Sequence, residues 1–321
     1  MEVFYLMKRC VLLDPEAEAV CEQSAVPPLI FQLPPTQGRN VLEDAQNTPV
    51  CMFPAEISRL HMSTRGWGEI PLFVVTPKPP AQLRHVILYL HGGGWVFGSF
   101  HTHEKLIREL SARTHSLILF PEYTRSPEAK YPVAMEQCYY LLSHMYGLLQ
   151  SWNPAFCSLP LTVAGDSAGG NLAIAMAFLS RQREGPCIER ELLYYPVTNA
   201  CFDTVSYRQF ASGYYLYRAG MQWFWQQYTT CAADQKQITA SPLLADDEDL
   251  KDFPRTMIVG GQADVLRSEG ELFAKKLRCA GVSVTSLRVQ GTIHDFVMLH
   301  ALDSSNACRV AMDATVGWMD R

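Results

Sequence analysis

The sequence predicts an α/β fold with a mostly parallel central sheet flanked by helices. Two observations carry that prediction. Short apolar runs alternate with longer segments of helical periodicity along most of the chain. Several of the runs also open into Gly-containing loops bearing Ser, Asp or His, and open α/β sheets gather their polar groups at the carboxyl ends of strands.

Taken in order, residues 1–55 differ from the rest. Prolines at 27–28, 34–35, 49 and 54 break any long helix, so this segment reads as an irregular N-terminal arm with one helix near 2–22. Strand-like runs follow near 56–62, 70–75, 86–90, 117–120, 161–164, 191–195, 256–260 and 284–289. Helical patterns fall near 102–114, 132–150, 169–183, 269–280 and 305–319. No internal repeat is visible, and residues 1–321 read as a single domain.

One excursion breaks the rhythm. About sixty residues without a strand separate Tyr195 from Thr256. Within Phe202–Tyr228 ten of twenty-seven residues are aromatic, about three times the chain average of 11%, which is too many for an ordinary exposed loop. The segment from roughly 200 to 235 is expected to form a cap over the site, completed by the arm at 1–55. The plainer alternative is a helix whose aromatics pack against the domain or a partner subunit, so a homodimer is compatible with the sequence.

The chemistry concentrates in two glycine-rich loops. Residues 164–170 read Ala-Gly-Asp-Ser-Ala-Gly-Gly, between an apolar run and an Ala-rich helix. This is a G-x-S-x-G elbow, in which a sharp strand-to-helix turn exposes the hydroxyl of Ser167 and the flanking glycines avoid a clash. Residues 86–94 read Val-Ile-Leu-Tyr-Leu-His-Gly-Gly-Gly. Consecutive glycines leave backbone N–H groups uncovered, so Gly93 and Gly94, joined by Ala168 beside the nucleophile, are the expected oxyanion-hole donors. His91 reads as a residue that supports the loop, because a catalytic base must approach from elsewhere.

A candidate acid and a candidate base both follow Ser167 along the chain. The run from Thr256 ends in a Gly-containing loop with Asp264, and the run at 284–289 opens into Gln-Gly-Thr-Ile-His294-Asp-Phe. Asp295 competes for the role of acid, but neighbouring side chains are expected to point apart. Glu269 is expected to lie inside the next helix. The catalytic set predicted is therefore Ser167, Asp264 and His294.

With these motifs in hand, the pairing of His91-Gly-Gly-Gly-Trp with Gly165-Asp-Ser-Ala-Gly-Gly resembles the hormone-sensitive-lipase-like (GDXG) family of α/β-hydrolases, which includes carboxylesterases and arylacetamide deacetylases. The stretches Glu122-Tyr-Thr-Arg-Ser-Pro-Glu128, Tyr131-Pro132, Tyr195-Pro196, Asp264-Val-Leu-Arg-Ser-Glu-Gly270 and His294-Asp-Phe296 fit as well. Together they cover roughly residues 86–300. Two departures are local: the family often has Tyr-Arg-Leu-Ala-Pro-Glu and Asp-Pro-Leu where this chain has Tyr-Thr-Arg-Ser-Pro-Glu and Asp-Val-Leu. The resemblance implies an α/β-hydrolase fold with a helical cap, and gives Asp166 a supporting role at the elbow backbone.

The reaction class that follows is carboxylic-ester hydrolysis without a cofactor, on small or medium uncharged acyl or aryl esters. Acyl transfer, amide hydrolysis or cyclisation would use the same three residues with another acceptor. A silent small-molecule-binding protein on this fold would tend to lose the histidine, which is present here.

Composition agrees. The chain is 48% hydrophobic and 18% charged, enough to build a large core. A net charge of −5 and a pI near 6.0 argue against nucleic acid and against docking on anionic lipid. The ten cysteines show no C-x-x-C pattern and read as thiols of a reducing compartment. His101 and His103 lack a third ligand nearby, so no metal site is expected. The opening Met-Glu-Val-Phe-Tyr-Leu-Met-Lys-Arg reverses the charge order of a signal peptide and is too short to span a bilayer. A cytoplasmic protein with no stable membrane anchor is expected.

Overall fold

The computed structural model describes residues 11–79 and 82–321. All eight expected runs form strands: β1 (Ala55–Ser63), β2 (Glu69–Pro77), β3 (His85–Leu90), β4 (Ser116–Pro121), β5 (Leu161–Asp166), β6 (Arg190–Tyr194), β7 (Arg255–Ala263) and β8 (Val284–Ile293). They join one sheet in the order β1-β2-β4-β3-β5-β6-β7-β8. The pairs β1–β2 and β2–β4 are antiparallel, and the remaining pairs from β4 to β8 are parallel. Every residue of β3, β4 and β5 is buried, which is why these strands read as unbroken apolar runs.

The N-terminal arm departs from expectation. Among the described residues it contains two α-helices, α1 (Pro15–Ser24) and α2 (Pro35–Ala45), where one was predicted near 2–22. Both begin on a proline in the first turn, where the missing N–H has no intrahelical partner to lose and the fixed φ suits the helix. Pro35, read in the sequence as a helix breaker, here starts one. Residues 2–10 of the expected helix lie outside the described residues.

The other helices follow prediction closely: α3 (Phe100–Thr114), α4 (Val133–Trp152), α5 (Ala168–Gln182), α8 (Arg267–Cys279) and α9 (Asn306–Met319). The excursion between β6 and β7 supplies two more, α6 (Val205–Gln209) and α7 (Arg218–Tyr228). No described helix is long and apolar enough to cross a membrane.

The aromatics of the excursion divide between two jobs. Trp225 and Tyr228 pack on the fully buried Trp95, with Tyr228 stacked at 4.1 Å between ring centroids. This pins α7 to the glycine-rich loop that follows β3. Tyr215, Tyr217 and Phe224 instead line a cavity. The two readings of this segment, core packing and pocket wall, each describe part of it.

Candidate active site

Ser167 sits between the last residue of β5 and the first of α5, with φ 53° and ψ −118°. An L-residue held there costs on the order of 1–3 kcal/mol. Three backbone hydrogen bonds hold it: its N–H donates to Tyr194 (2.9 Å), and its carbonyl accepts from Asn171 and Val197 (both 3.1 Å). The flanking glycines are required by space. A Cβ on Gly169 would run into the backbone of Leu90 and His91, and one on Gly165 into the backbone of Gly169. A side chain at either position would push the helix off the sheet.

His294 follows β8 and Asp264 follows β7, so parallel strands deliver both to the edge where β5 delivers Ser167. His294 Nε2 lies 2.9 Å from Ser167 Oγ, and His294 Nδ1 lies 2.7 Å from Asp264 Oδ2. With Nδ1 donating to Asp264, Nε2 is left to accept from the serine hydroxyl. Asp264 Oδ1 accepts from the N–H of Leu266 at 2.8 Å, which fixes the carboxylate. All three side chains are buried.

Asp295 behaves differently from expectation. Its φ of 61° folds the chain back, and Oδ1 comes to 3.4 Å from His294 Nε2 instead of pointing away. The sequence argument assumed ordinary extended geometry, in which adjacent side chains diverge. A left-handed residue does not obey it. Glu269 lies inside α8 as expected, where its carboxylate accepts from the N–H groups of Thr198 (2.6 Å) and Asn199 (3.2 Å).

Burial by itself lowers the basicity of His294. The carboxylates of Asp264 and Asp295 outweigh it and raise the imidazole pKa to about 9. Burial raises the carboxyl of Asp295 to about 6, against the opposing pull of His294.

Gly93 and Gly94 line the same cavity as Ser167 and His294. Their φ values of 95° and 61° lie in the region that favours glycine, and a Cβ on Gly94 would strike Phe224. Ala168 is the first residue of α5, so its N–H has no partner one turn back within the helix.

His91 supports the loop. Its ring stacks on Tyr123 at 4.1 Å, Nδ1 lies 2.9 Å from the Gly92 carbonyl, and Tyr123 donates its hydroxyl to the His91 carbonyl at 2.8 Å. Burial drives its pKa down to about 3, so the ring is neutral.

Asp166 is fully buried and accepts from Tyr89 (2.8 Å) and the N–H of Gly92 (3.1 Å), which ties the elbow to the glycine-rich loop. Its third partner is His103, at 3.2 Å, whose pKa is lowered by burial but raised further by this carboxylate. His103 is thereby occupied, and His101 faces Glu43 on the surface. Among the described residues no group of three or more His, Cys, Asp or Glu side chains is arranged to hold a metal ion.

The cavity above Ser167 has a volume of about 440 Å³. Its far wall comes from the N-terminal helices, through Val20, Phe31 and Leu42, and its near wall from Leu216, Met221 and Phe224 of the excursion. Two acidic residues reach it, Asp44 and Asp295.

The alpha/beta hydrolase fold family matches residues 87–298, which spans the elbow, the glycine-rich loop and both partners of Ser167. The chain belongs to that family. This α/β-hydrolase is 37% identical to a solved thermostable esterase from Pseudomonas putida ECU1011, with a TM-score of 0.91 over 96% of each chain. It is 39% identical over 238 residues to the vegetative-specific protein H5 of Dictyostelium discoideum, covering 73% of this chain and 69% of the relative. It is 32% identical over 249 residues to an ethyl acetate hydrolase of Pseudomonas putida, covering 77% of each. The hydrolase thus stands among esterases, as the GDXG motifs imply, and its fold is the one they predict.

Two features of the site lay beyond the sequence reading. One is the approach of Asp295 to the serine-facing nitrogen. The other is the ring of Tyr195, whose centroid lies 4.5 Å from that of the His294 imidazole. Tyr195 immediately follows β6, which was the available signal.

Proposed function

We propose that this α/β-hydrolase is a serine carboxylesterase acting on small to medium uncharged acyl or aryl esters through an acyl-Ser167 intermediate. The supporting observation is the hydrogen-bonded run from Ser167 through His294 to Asp264, opening into a largely apolar cavity. Serine is a weak nucleophile until a base within hydrogen-bond reach takes its proton. His294 takes that proton as Oγ attacks the ester carbonyl, and Asp264 stabilises the imidazolium that forms. The N–H groups of Gly93, Gly94 and Ala168 receive the oxyanion, where each such donor is worth on the order of 100–1000-fold in rate. His294 then gives the proton to the leaving alkoxide. A water activated by the same nitrogen frees the acid.

The cavity sets the substrate class. About 440 Å³ with mostly apolar walls accommodates a short acyl chain and a small alkyl or aryl alcohol. An anionic ester would meet Asp44 and Asp295 and lose hydration without a compensating cation. The excursion and the N-terminal helices serve as the cap. The test is Ser167→Ala, assayed on an aryl acetate: turnover disappears while the circular dichroism spectrum and melting temperature remain. Retained turnover overturns the assignment.

A further inference from the structure

Asp295 has no part in the chemistry described so far, yet its carboxylate stands at the reacting edge of the imidazole. Oδ1 lies 3.4 Å from His294 Nε2, the same nitrogen that faces Ser167 Oγ at 2.9 Å. The side chain is only 10% exposed, lines the cavity, and no group among the described residues hydrogen-bonds to Oδ1. Oδ2 is held by the Tyr215 hydroxyl at 3.3 Å. The Asp295 carbonyl accepts from the N–H groups of Met298 (3.0 Å) and Leu299 (2.9 Å), which locks the backbone at φ 61°. A buried acceptor fixed this firmly and left without a donor carries a free-energy cost that a ligand can remove.

Asp264 already orients the ring from the opposite edge. A carboxylate beside Nε2 does not help choose the tautomer that accepts from serine. What it can do is meet whatever molecule approaches Nε2 after Ser167 has been acylated and its hydroxyl proton is gone.

We propose that Asp295 selects water over alcohols as the acceptor of the acyl group, by taking a hydrogen bond from water's second hydrogen while His294 takes the first. The proposal rests on the reading of Ser167 as the acylated nucleophile. In the deacylation step the water oxygen forms a bond to the acyl carbon and its first proton moves to Nε2. The tetrahedral intermediate then expels Ser167 Oγ, breaking the acyl–Oγ bond, and the proton passes from Nε2 to Oγ. The second hydrogen stays on the new acid until the acid ionises in solvent. Asp295 gains and loses no proton; Oδ1 accepts a hydrogen bond throughout.

An alcohol cannot fill this role. Its single hydrogen must face Nε2, so Oδ1 is left against the alcohol's lone pairs or its alkyl group. Sites built to bond a particular hydrogen discriminate strongly against analogues lacking it, because the buried partner is left unpaired. Asp295 thereby biases the enzyme toward hydrolysis and away from transesterification.

The test is competition between water and methanol on a phenyl ester. The ratio of methyl ester to free acid reports acceptor choice whichever step limits turnover, and phenol release under kcat/KM conditions reports acylation. Asp295→Gly is the informative variant, since glycine tolerates a φ of 61° and offers no acceptor. Asp295→Asn is the companion, because asparagine also adopts this conformation and replaces the charged acceptor by a neutral amide. In Asp295→Gly the methyl ester to acid ratio rises about ten-fold, the size of one charge-assisted hydrogen bond, and kcat/KM for phenol release, read on the plateau above the His294 limb, falls by a smaller factor. Asp295→Asn gives an intermediate ratio.

A ratio unchanged or lowered in both variants overturns the proposal, including the case where acylation slows and the ratio stays put, which marks a purely structural residue. Failure of the underlying function is read separately, from turnover surviving in Ser167→Ala.

Discussion

Asp264 and Asp295 bracket one imidazole, the first 2.7 Å from His294 Nδ1 and the second 3.4 Å from Nε2. Two carboxylates on opposite edges of a buried ring favour its protonated form over what burial alone would give. The resting base is correspondingly stronger and is free at higher pH than an ordinary histidine.

The pH profile follows. The folded pKa of His294 is raised from 6.5 to about 9, so the neutral base is gained only as pH rises through that region. For an aryl acetate, kcat/KM climbs with pH along a limb lying above that of free imidazole. Asp295→Asn removes one of the charges that raise the pKa, so the limb moves to lower pH. A limb that stays in place in this variant refutes the electrostatic account.

The three residues act as a unit. Ser167→Ala and His294→Ala abolish turnover to the same level, and combining them costs nothing more. Asp264→Asn leaves a trace, with kcat down by about 10⁴-fold because the amide favours the wrong tautomer. Single-turnover kinetics on purified variants check all three.

The buried pair behind the elbow governs stability. His103→Ala leaves the Asp166 carboxylate in a fully buried site with only Tyr89 and the Gly92 N–H as partners. Breaking such a pair from one side costs about 3–5 kcal/mol. The urea midpoint falls accordingly, whereas an unchanged midpoint shows that the pair is dispensable.

Arg39 fastens α2 to the body. Its guanidinium donates to the carbonyls of Val96 (2.8 Å) and Ser126 (3.0 Å) and forks onto Glu128 at 2.7 and 2.6 Å. Arg39→Ala loosens the far wall of the cavity without touching Ser167. KM for a butyrate ester rises several-fold and kcat changes less, as expected when binding is lost equally in ground and transition states. Steady-state kinetics on acetate and butyrate esters check this.

Much of this architecture was legible because the central strands β3, β4 and β5 are buried on both faces, while the edge strand β8 shows its alternation in sequence. A run such as Val86–Leu90 can then only be apolar, and the first polar residue after it stands out. Ser167 and Asp264 were singled out that way, and His294 as the first histidine beyond an alternating run, each just past the end of a strand. The sign of φ is not written in the residue type, so the inward turn of Asp295 escaped notice. Pro35 was misread because proline both ends helices and begins them, and only the surrounding packing decides which. The arm at 1–55 was expected to complete the cap, but which of its residues face the cavity could not be read, because that contact joins segments more than a hundred residues apart.

The far wall of the cavity is made from residues that precede β1, whereas the proposed reacting groups all follow β3. One wall of the cavity and the proposed bond-breaking groups therefore lie in separable stretches of one polypeptide. Exchanging residues 11–48 for the equivalent stretch of another esterase would transplant a different preference for chain length onto unaltered chemistry, provided Gln46 keeps its grip on Thr102 and His300.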